Sequence, residues 1–410
     1  MKKYPKYKDS GVEWMGKIPS EWGISRINSL FKQRSETVSD KDFPPLSVTK
    51  NGILPQIEGV AKTENNDARK LVRKGDFVIN SRSDRKGSSG TSRYDGSVSV
   101  INIVLEPHSI DPIFAEFLFK SNDFVEEYFR NGKGIVWDLW STRYSEMKYI
   151  LVPNPPLQEQ QQIVTYLDHK TTLIDQIISS SEKKIELLKE QRTSTINHAV
   201  TKGLNPKVKM KDSGVEWIGE IPGGWEIKKM KYCLKLISEK GTTTKGDVKI
   251  SPENVENGTG VCFNLYSDYE GEGIKFVIGD ILLNKLRIYL KKILLTESEG
   301  FSMGEMIVLR TIYGNNKYFH YLLFHQGLID LLNNQSTGVK LPRVSPEIIL
   351  NTEIISPPIE EQQQIVTHLD QKTKEIDDLI SSQQKRIELL KEYRQSLISE
   401  VVTGKIRIEK

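Results

Sequence analysis

The stretch from Pro155 to Arg192, PPLQEQQQIVTYLDHKTTLIDQIISSSEKKIELLKEQR, is written a second time from Pro357 to Arg394 as PPIEEQQQIVTHLDQKTKEIDDLISSQQKRIELLKEYR, 202 positions later. Two prolines open each copy, the second presetting φ for a first helical turn, and Glu159 or Glu360 and Glu361 follow at the positive end of the macrodipole. Apolar residues recur at Ile163, Leu167, Ile174, Ile177, Ile178, Ile185, Leu188, Ile196 and Val200, and again at Ile365, Leu369, Ile376, Leu379, Ile380, Ile387, Leu390, Leu397 and Val401. Steps of three, four and seven residues leave the other face to Lys, Glu and Gln, which predicts an amphipathic helix of about 44 residues and ~65 Å in each copy. One narrow apolar stripe of that length requires cover. A helix lying on a globular core would supply it, but two near-identical stripes in one chain favour an intramolecular coiled coil, interrupted near Ser179–Ser181 and Ser381–Ser382. The stripe itself leaves open whether the helices run parallel or antiparallel.

The duplication extends beyond the helices. DSGVEWMGKIPSEW, from Asp9 to Trp22, returns as DSGVEWIGEIPGGW from Asp212 to Trp225, offset by 203. An Asp-Ser-Gly turn precedes apolar anchors, with Trp14 and Trp22 in one copy and Trp217 and Trp225 in the other. Large aromatics at this spacing are expected to pack as a clasp against a helix end. Between clasp and helix, about 120 residues diverge in each half, yet KGDFVIN (Lys74–Asn80) answers IGDILLN (Ile278–Asn284), a Gly-Asp turn feeding a strand. Ile113–Phe119 and Tyr318–Phe324 are predicted as matching short helices. The fold class is α+β, one fold used twice with different surfaces. Domain boundaries are expected at 1–151, 152–204, 205–353 and 354–410, with the basic, Gly- and Pro-containing connector Lys202–Lys211 between the halves.

Composition is that of an ordinary globular protein, 37% apolar and 27% charged, and a net charge of +4 does not diagnose a nucleic-acid binder. Position matters more. Arg69, Lys70, Arg73, Lys74, Arg82, Arg85, Lys86 and Arg93 crowd one stretch around the first Gly-Asp strand, and Lys285, Arg287, Lys291 and Lys292 follow the second. Such runs are usually solvated faces; recurrence after the same strand in both halves favours contact with phosphates and base edges. Arg143, Arg343, Lys340, Trp137, Trp140 and the loop Lys240–Lys245, carrying Lys240 and Lys245, are further candidates, the tryptophans also being suited to a core.

Other classes fit less well. The only cysteines, Cys233 and Cys262, lack counterparts in the other repeat, which argues against a disulfide framework or CxxC metal site and for a reducing, cytoplasmic setting. No apolar run approaches the ~20 residues needed to span a bilayer, and MKKYPKYKDSG lacks a signal-peptide core. Asn154-Pro155-Pro156-Leu157 approximates the Asn-Pro-Pro-aromatic motif of adenine methyltransferases, but Leu157 is not aromatic and Ser356 replaces the Asn in the second copy. Walker A, HExxH and Gly-rich cofactor loops are missing. A stand-alone enzyme is therefore disfavoured, and a pure coiled-coil scaffold would not need two divergent basic domains.

The clasp SGVEWxGxIPxxW, the helix start PPxxEQxxIVxxLD, the helix end IELLKExR and the duplicated layout together resemble the specificity (S) subunit of type I restriction-modification systems, over essentially the whole chain. The resemblance implies two target recognition domains, each reading one half of a split, asymmetric DNA site, and repeated helices forming an antiparallel coiled coil with an internal pseudo-two-fold. It implies a non-catalytic subunit of a host-defence complex that docks two methyltransferase (M) subunits and, through the complex, endonuclease/translocase (R) subunits. No cofactor is expected on this chain; S-adenosylmethionine, ATP and Mg would belong to the partners. The helix and clasp positions carry over from the resemblance, whereas the base-reading candidates rest on charge and loop character alone.

Overall fold

A computed structural model describes residues 3–56, 68–134, 140–265 and 270–408. Two compact units divide the chain, one comprising Met1–Ser181 and Lys385–Lys410, the other Glu182–Gln384. The division falls inside both long helices, Leu157–Lys202 and Ile359–Val402, so each unit holds the N-terminal part of one and the C-terminal part of the other. No helix among the described residues is long and apolar enough to cross a membrane.

The two units repeat one topology that the sequence left undetermined. In the first unit a four-stranded sheet has the order Ser89–Thr91, Phe77–Asn80, Asn102–Pro107, Phe31–Gln33; in the second it is Ile293–Leu295, Ile281–Asn284, Met306–Thr311, Leu234–Ile237. The Gly-Asp strand lies inside each sheet, and all four residues of Phe77–Asn80 and of Ile281–Asn284 are buried. The turn before it uses Gly75 at φ 96° and Gly279 at φ 86°, a region open to glycine, so both repeats keep the residue. The Asp of this turn is buried in each unit (Asp76, 2%; Asp280, 1%) and paired with an arginine from a different strand position: Arg34 at 2.7 Å in the first, Arg310 at 2.7 Å in the second. Position 106 on the strand Asn102–Pro107 is Glu where its counterpart on Met306–Thr311 is Arg310, and the cation moves to Arg34. One ion pair is thus maintained from either side.

Each predicted short helix is present, at Pro112–Lys120 and Asn316–Leu323, and each is followed by a second helix, Asn122–Arg130 or Gln326–Asn334, that the sequence reading missed. In the first unit these helices bring Phe119 against Phe31, Phe77 and Phe124, with ring centroids 5.5, 4.9 and 4.4 Å apart, making an aromatic core.

Within each unit the two long-helix segments run antiparallel. In the first, Asp175 meets Arg394 at 3.0 Å while Tyr4 bonds Glu159 and Tyr7 bonds the Lys405 carbonyl, tying the start of one helix to the end of the other. In the second, Arg192 meets Asp377 at 3.0 Å while Trp225 packs beside Gly203 and donates to Glu361 at 2.8 Å. The two ion pairs are the same residues of the repeat, with the roles of the helices exchanged. Ile163, Leu167, Ile174, Ile178, Ile185, Leu188, Ile365, Leu369, Ile376 and Ile387 are buried as expected; Ile380 and Leu390 are half-buried. Ile177 and Leu379 are instead 37% and 46% exposed, because the stripe is narrower than the count of apolar residues suggested.

The glutamines of the helix start have a definite task. Gln160, fully enclosed, donates to the Pro155 carbonyl at 2.8 Å and accepts from Asp111 N–H at 2.8 Å; Gln362 does the same with Pro357 at 2.8 Å and Asn315 at 2.8 Å. Each locks a long helix to the N-cap of a short one. The clasps pack as predicted: Trp14 meets Phe124 at 6.0 Å, Trp217 meets His325 at 5.2 Å, and Trp22 and Trp225 are buried beside the helix-terminating Gly404 and Gly203.

Candidate nucleic-acid interface

The chain leaves the buried Gly-Asp strand through an Asn in both repeats. Asn80 Oδ1 accepts from the Arg82 N–H at 3.0 Å, and Asn284 Oδ1 from the Leu286 N–H at 3.1 Å, turning the backbone out of the sheet. The exit loop is then stitched to a second loop from far along the chain. In the first unit Arg82 bridges Ser141, Ser141 bridges Lys133, and Ser83 N–H donates to the Trp140 carbonyl at 3.0 Å. In the second, Leu286 bridges Arg343, Arg343 bridges Thr337, and Arg287 N–H donates to the Pro342 carbonyl at 2.8 Å. The same pair of loops therefore meets at the same edge of each sheet.

This arrangement sorts the basic candidates. In the first unit Arg82, Arg85 and Arg143 are exposed at the joined loops, and among the described residues the one ion pair they form is Arg85 with Asp84 at 3.8 Å. Three other candidates, Arg69, Lys70 and Lys86, are corrected, and Arg93 stands apart from the joined loops. Arg69 is only 6% exposed and donates to Ser97 Oγ at 2.8 Å and to the Ser97 carbonyl at 3.1 Å; Lys70 donates to the Asn102 carbonyl at 2.6 Å. Burial lowers both pKa values, the opposite of what a solvated phosphate-binding cation would show. Lys86 is held by Glu126 at 2.7 Å and lies over the Phe129 ring. Arg93 is exposed but stands at the Gly75 end of the strand, since Gly75 N–H donates to the Ser92 carbonyl at 2.9 Å, a strand length of ~13 Å from Arg82, and its charge acts on Asp168 of the long helix. Trp140 is a packing residue, donating to the Phe129 carbonyl at 2.9 Å. Trp137 lies outside the described residues.

In the second unit Arg287 and Lys340 are exposed, and neither side chain has an ion-pair partner among the described residues. Arg287 adopts φ 51°, a left-handed conformation that L side chains other than Asn and Asp seldom take, held by its bond to Pro342. Lys285 and Arg343 share Glu305, at 3.5 and 2.9 Å, which holds the Glu305 carboxyl below the usual range; the hydrogen bond from Arg343 is the largest cause. Lys291 and Lys292 are corrected: they donate to the Phe324 and Pro252 carbonyls at 3.2 and 2.6 Å, and burial lowers the Lys291 pKa. Lys240 is exposed on an outer strand paired with Glu272 at 2.9 Å, and Lys245 is exposed in the following turn. The sequence reading missed the loop-tip side chains Val339 and Leu341, both exposed. Gly338 and Pro342 bracketing Val339–Leu341 were the available signal.

Comparison with known proteins agrees with this geometry. A family model for the type I restriction modification DNA specificity domain matches residues 224–389. The MjaVIII type I restriction enzyme specificity subunit of Methanocaldococcus jannaschii is 24% identical over 437 positions, covering 98% of this chain and 97% of that protein. The EcoDI specificity subunit of Escherichia coli is 20% identical over 421 positions, covering 95% and 90%. Among solved structures, a chain from a type I R-M system superposes with a TM-score of 0.73 at 14% identity, covering 95% of this chain and 99% of that one. The HsdS subunit from Thermoanaerobacter tengcongensis gives 0.58 at 16% identity, covering 97% and 100%. The two joined-loop domains and the antiparallel helix pairs thus accompany a similarity, over nearly the whole chain, to type I restriction enzyme specificity subunits.

Proposed function

We propose that the chain reads a split, asymmetric DNA site, one half-site per recognition domain, and serves as the non-catalytic specificity subunit around which M subunits and, through them, R subunits assemble. The observation that carries this reading is that the same two loops meet in both domains and present exposed cations of different identity: Arg82, Arg85 and Arg143 in one, Arg287 and Lys340 in the other. Equivalent placement suits two DNA contacts of one kind, and unequal side chains suit two different half-sites.

Docking of two M subunits is supported by apolar side chains that stay exposed on the long helices at equivalent positions of the repeat. Leu187 and Leu389 are each 55% exposed, and Ile177 and Leu379 are their companions, so each unit offers one member of each pair. S-adenosylmethionine, ATP and Mg would be held by the partner subunits, in the cytoplasm where host DNA is modified.

Co-expression with the neighbouring subunit genes, followed by single-molecule sequencing to map methylated adenines, tests the reading. A bipartite asymmetric motif that disappears when this chain is omitted is the expected result. An intact M subunit, a stable complex and no such motif would overturn it.

A further inference from the structure

Val339 is the most exposed large apolar side chain among the described residues, at 102% of its reference accessibility. Its loop, Gly338-Val339-Lys340-Leu341-Pro342, is closed by reciprocal backbone bonds between Thr337 and Arg343 at 2.8 and 2.9 Å. Gly338 takes φ 96°, and a Cβ there would approach the Leu341 carbonyl to 3.1 Å, so the turn tolerates little else. Pro342 fixes its own φ and ties the loop to Arg287 through its carbonyl. The result is a short, preorganised tip presenting a rigid β-branched side chain, beside half-exposed Leu341 and within a rim of Arg287, Lys340, Arg343 and Lys285 that contains one opposing carboxylate, Glu305.

An apolar tip inside a cationic rim fits a surface that is polyanionic at its edges and apolar at one point. The major groove of DNA is such a surface: phosphates line it, and the only apolar group it displays is the thymine 5-methyl. We propose that Val339 is a specificity-determining residue that enters the major groove and packs on a thymine 5-methyl group in the half-site read by the second domain. This rests on the proposed function, because it presupposes that the joined loops face DNA. Lys340 and Arg287 hold the flanking phosphates and so set the depth of entry.

The test uses the full chain in complex with its M subunits and duplexes carrying the mapped motif. Each thymine of the second half-site is replaced in turn by deoxyuridine, which removes only the methyl group, and affinity is measured by fluorescence anisotropy. One position should lose about fourfold, the value of one buried methyl, and in Val339→Ala the difference between thymine and uracil at that position should vanish. Val339 makes no internal packing, so the variant retains the fold. A half-site without a uracil-sensitive position, or one whose sensitivity is the same in Val339→Ala, overturns the assignment while leaving salt-dependent DNA binding, and hence the proposed function, intact. Weakened M-subunit capture by Val339→Ala without DNA would also overturn it, in favour of a protein contact. Loss of all salt-dependent binding by the wild-type complex would remove the proposed function itself.

Discussion

Asp280 accepts from Arg310 Nε and Nη2, each at 2.7 Å, and from the Val277 N–H at 2.9 Å while almost wholly enclosed. Asp280→Ala strands the guanidinium and opens the turn, and should cost about 2–3 kcal/mol, read as a lower urea midpoint at unchanged slope. Two histidines of the same unit give a pH dependence. Burial is the largest cause lowering His320 and His325 from 6.5 to about 4. With the folded value depressed, the unfolded chain protonates first, so their contribution is complete above pH ~6.5 and is lost as pH falls toward ~4. Urea midpoints at pH 7.5 and 5 should therefore differ more in the wild type than in a His320→Asn, His325→Asn double variant, and equal differences would refute the assignment. Arg82 and Arg287, if they meet phosphates, should each on replacement by Ala reduce the magnitude of the logarithmic salt slope of DNA binding by about one.

At the scale of the elements, Gln362 is the hinge pin between a long and a short helix. Gln362→Leu keeps the volume but orphans the Asn315 N–H and the Pro357 carbonyl, a cost of about 1–3 kcal/mol that thermal denaturation will detect. The Arg192–Asp377 and Arg394–Asp175 pairs are partly exposed and contribute less, about 0.2–1 kcal/mol each, their role being register. On the proposed reading, the long helices set the distance between the half-sites. Inserting about one helical turn at Ser179–Ser181 should change the spacer of the methylated motif and leave both half-sites as they were. A changed half-site with a constant spacer would sink the idea that these helices measure distance.

For the molecule as a whole, the duplication predicts partner stoichiometry. Leu389→Lys puts a charge on an exposed apolar position of the first unit without touching its core. On the proposed assembly with two M subunits, native mass spectrometry of the complex should then show one retained, and Leu187→Lys should do the same through the second unit. Two M subunits on either variant would place the docking surface elsewhere.

The duplication, both long helices, the clasps and the Gly-Asp strand were legible in the sequence because each is a local or periodic pattern: prolines at a helix start, an apolar stripe, a glycine where φ must be positive. Helices Asn122–Arg130 and Gln326–Asn334 escaped because each is short and directly follows another helix with no glycine or proline between them. The interface was legible only as a region. A count of Arg and Lys cannot say which of them are already bound, because the partners come from distant segments: the Asn102 carbonyl for Lys70, Glu126 for Lys86, the Phe324 carbonyl for Lys291. Tertiary structure alone withdrew those cations into the fold, left Arg82, Arg143, Arg287 and Lys340 outside it, and brought two loops nearly 60 residues apart to one edge of each sheet.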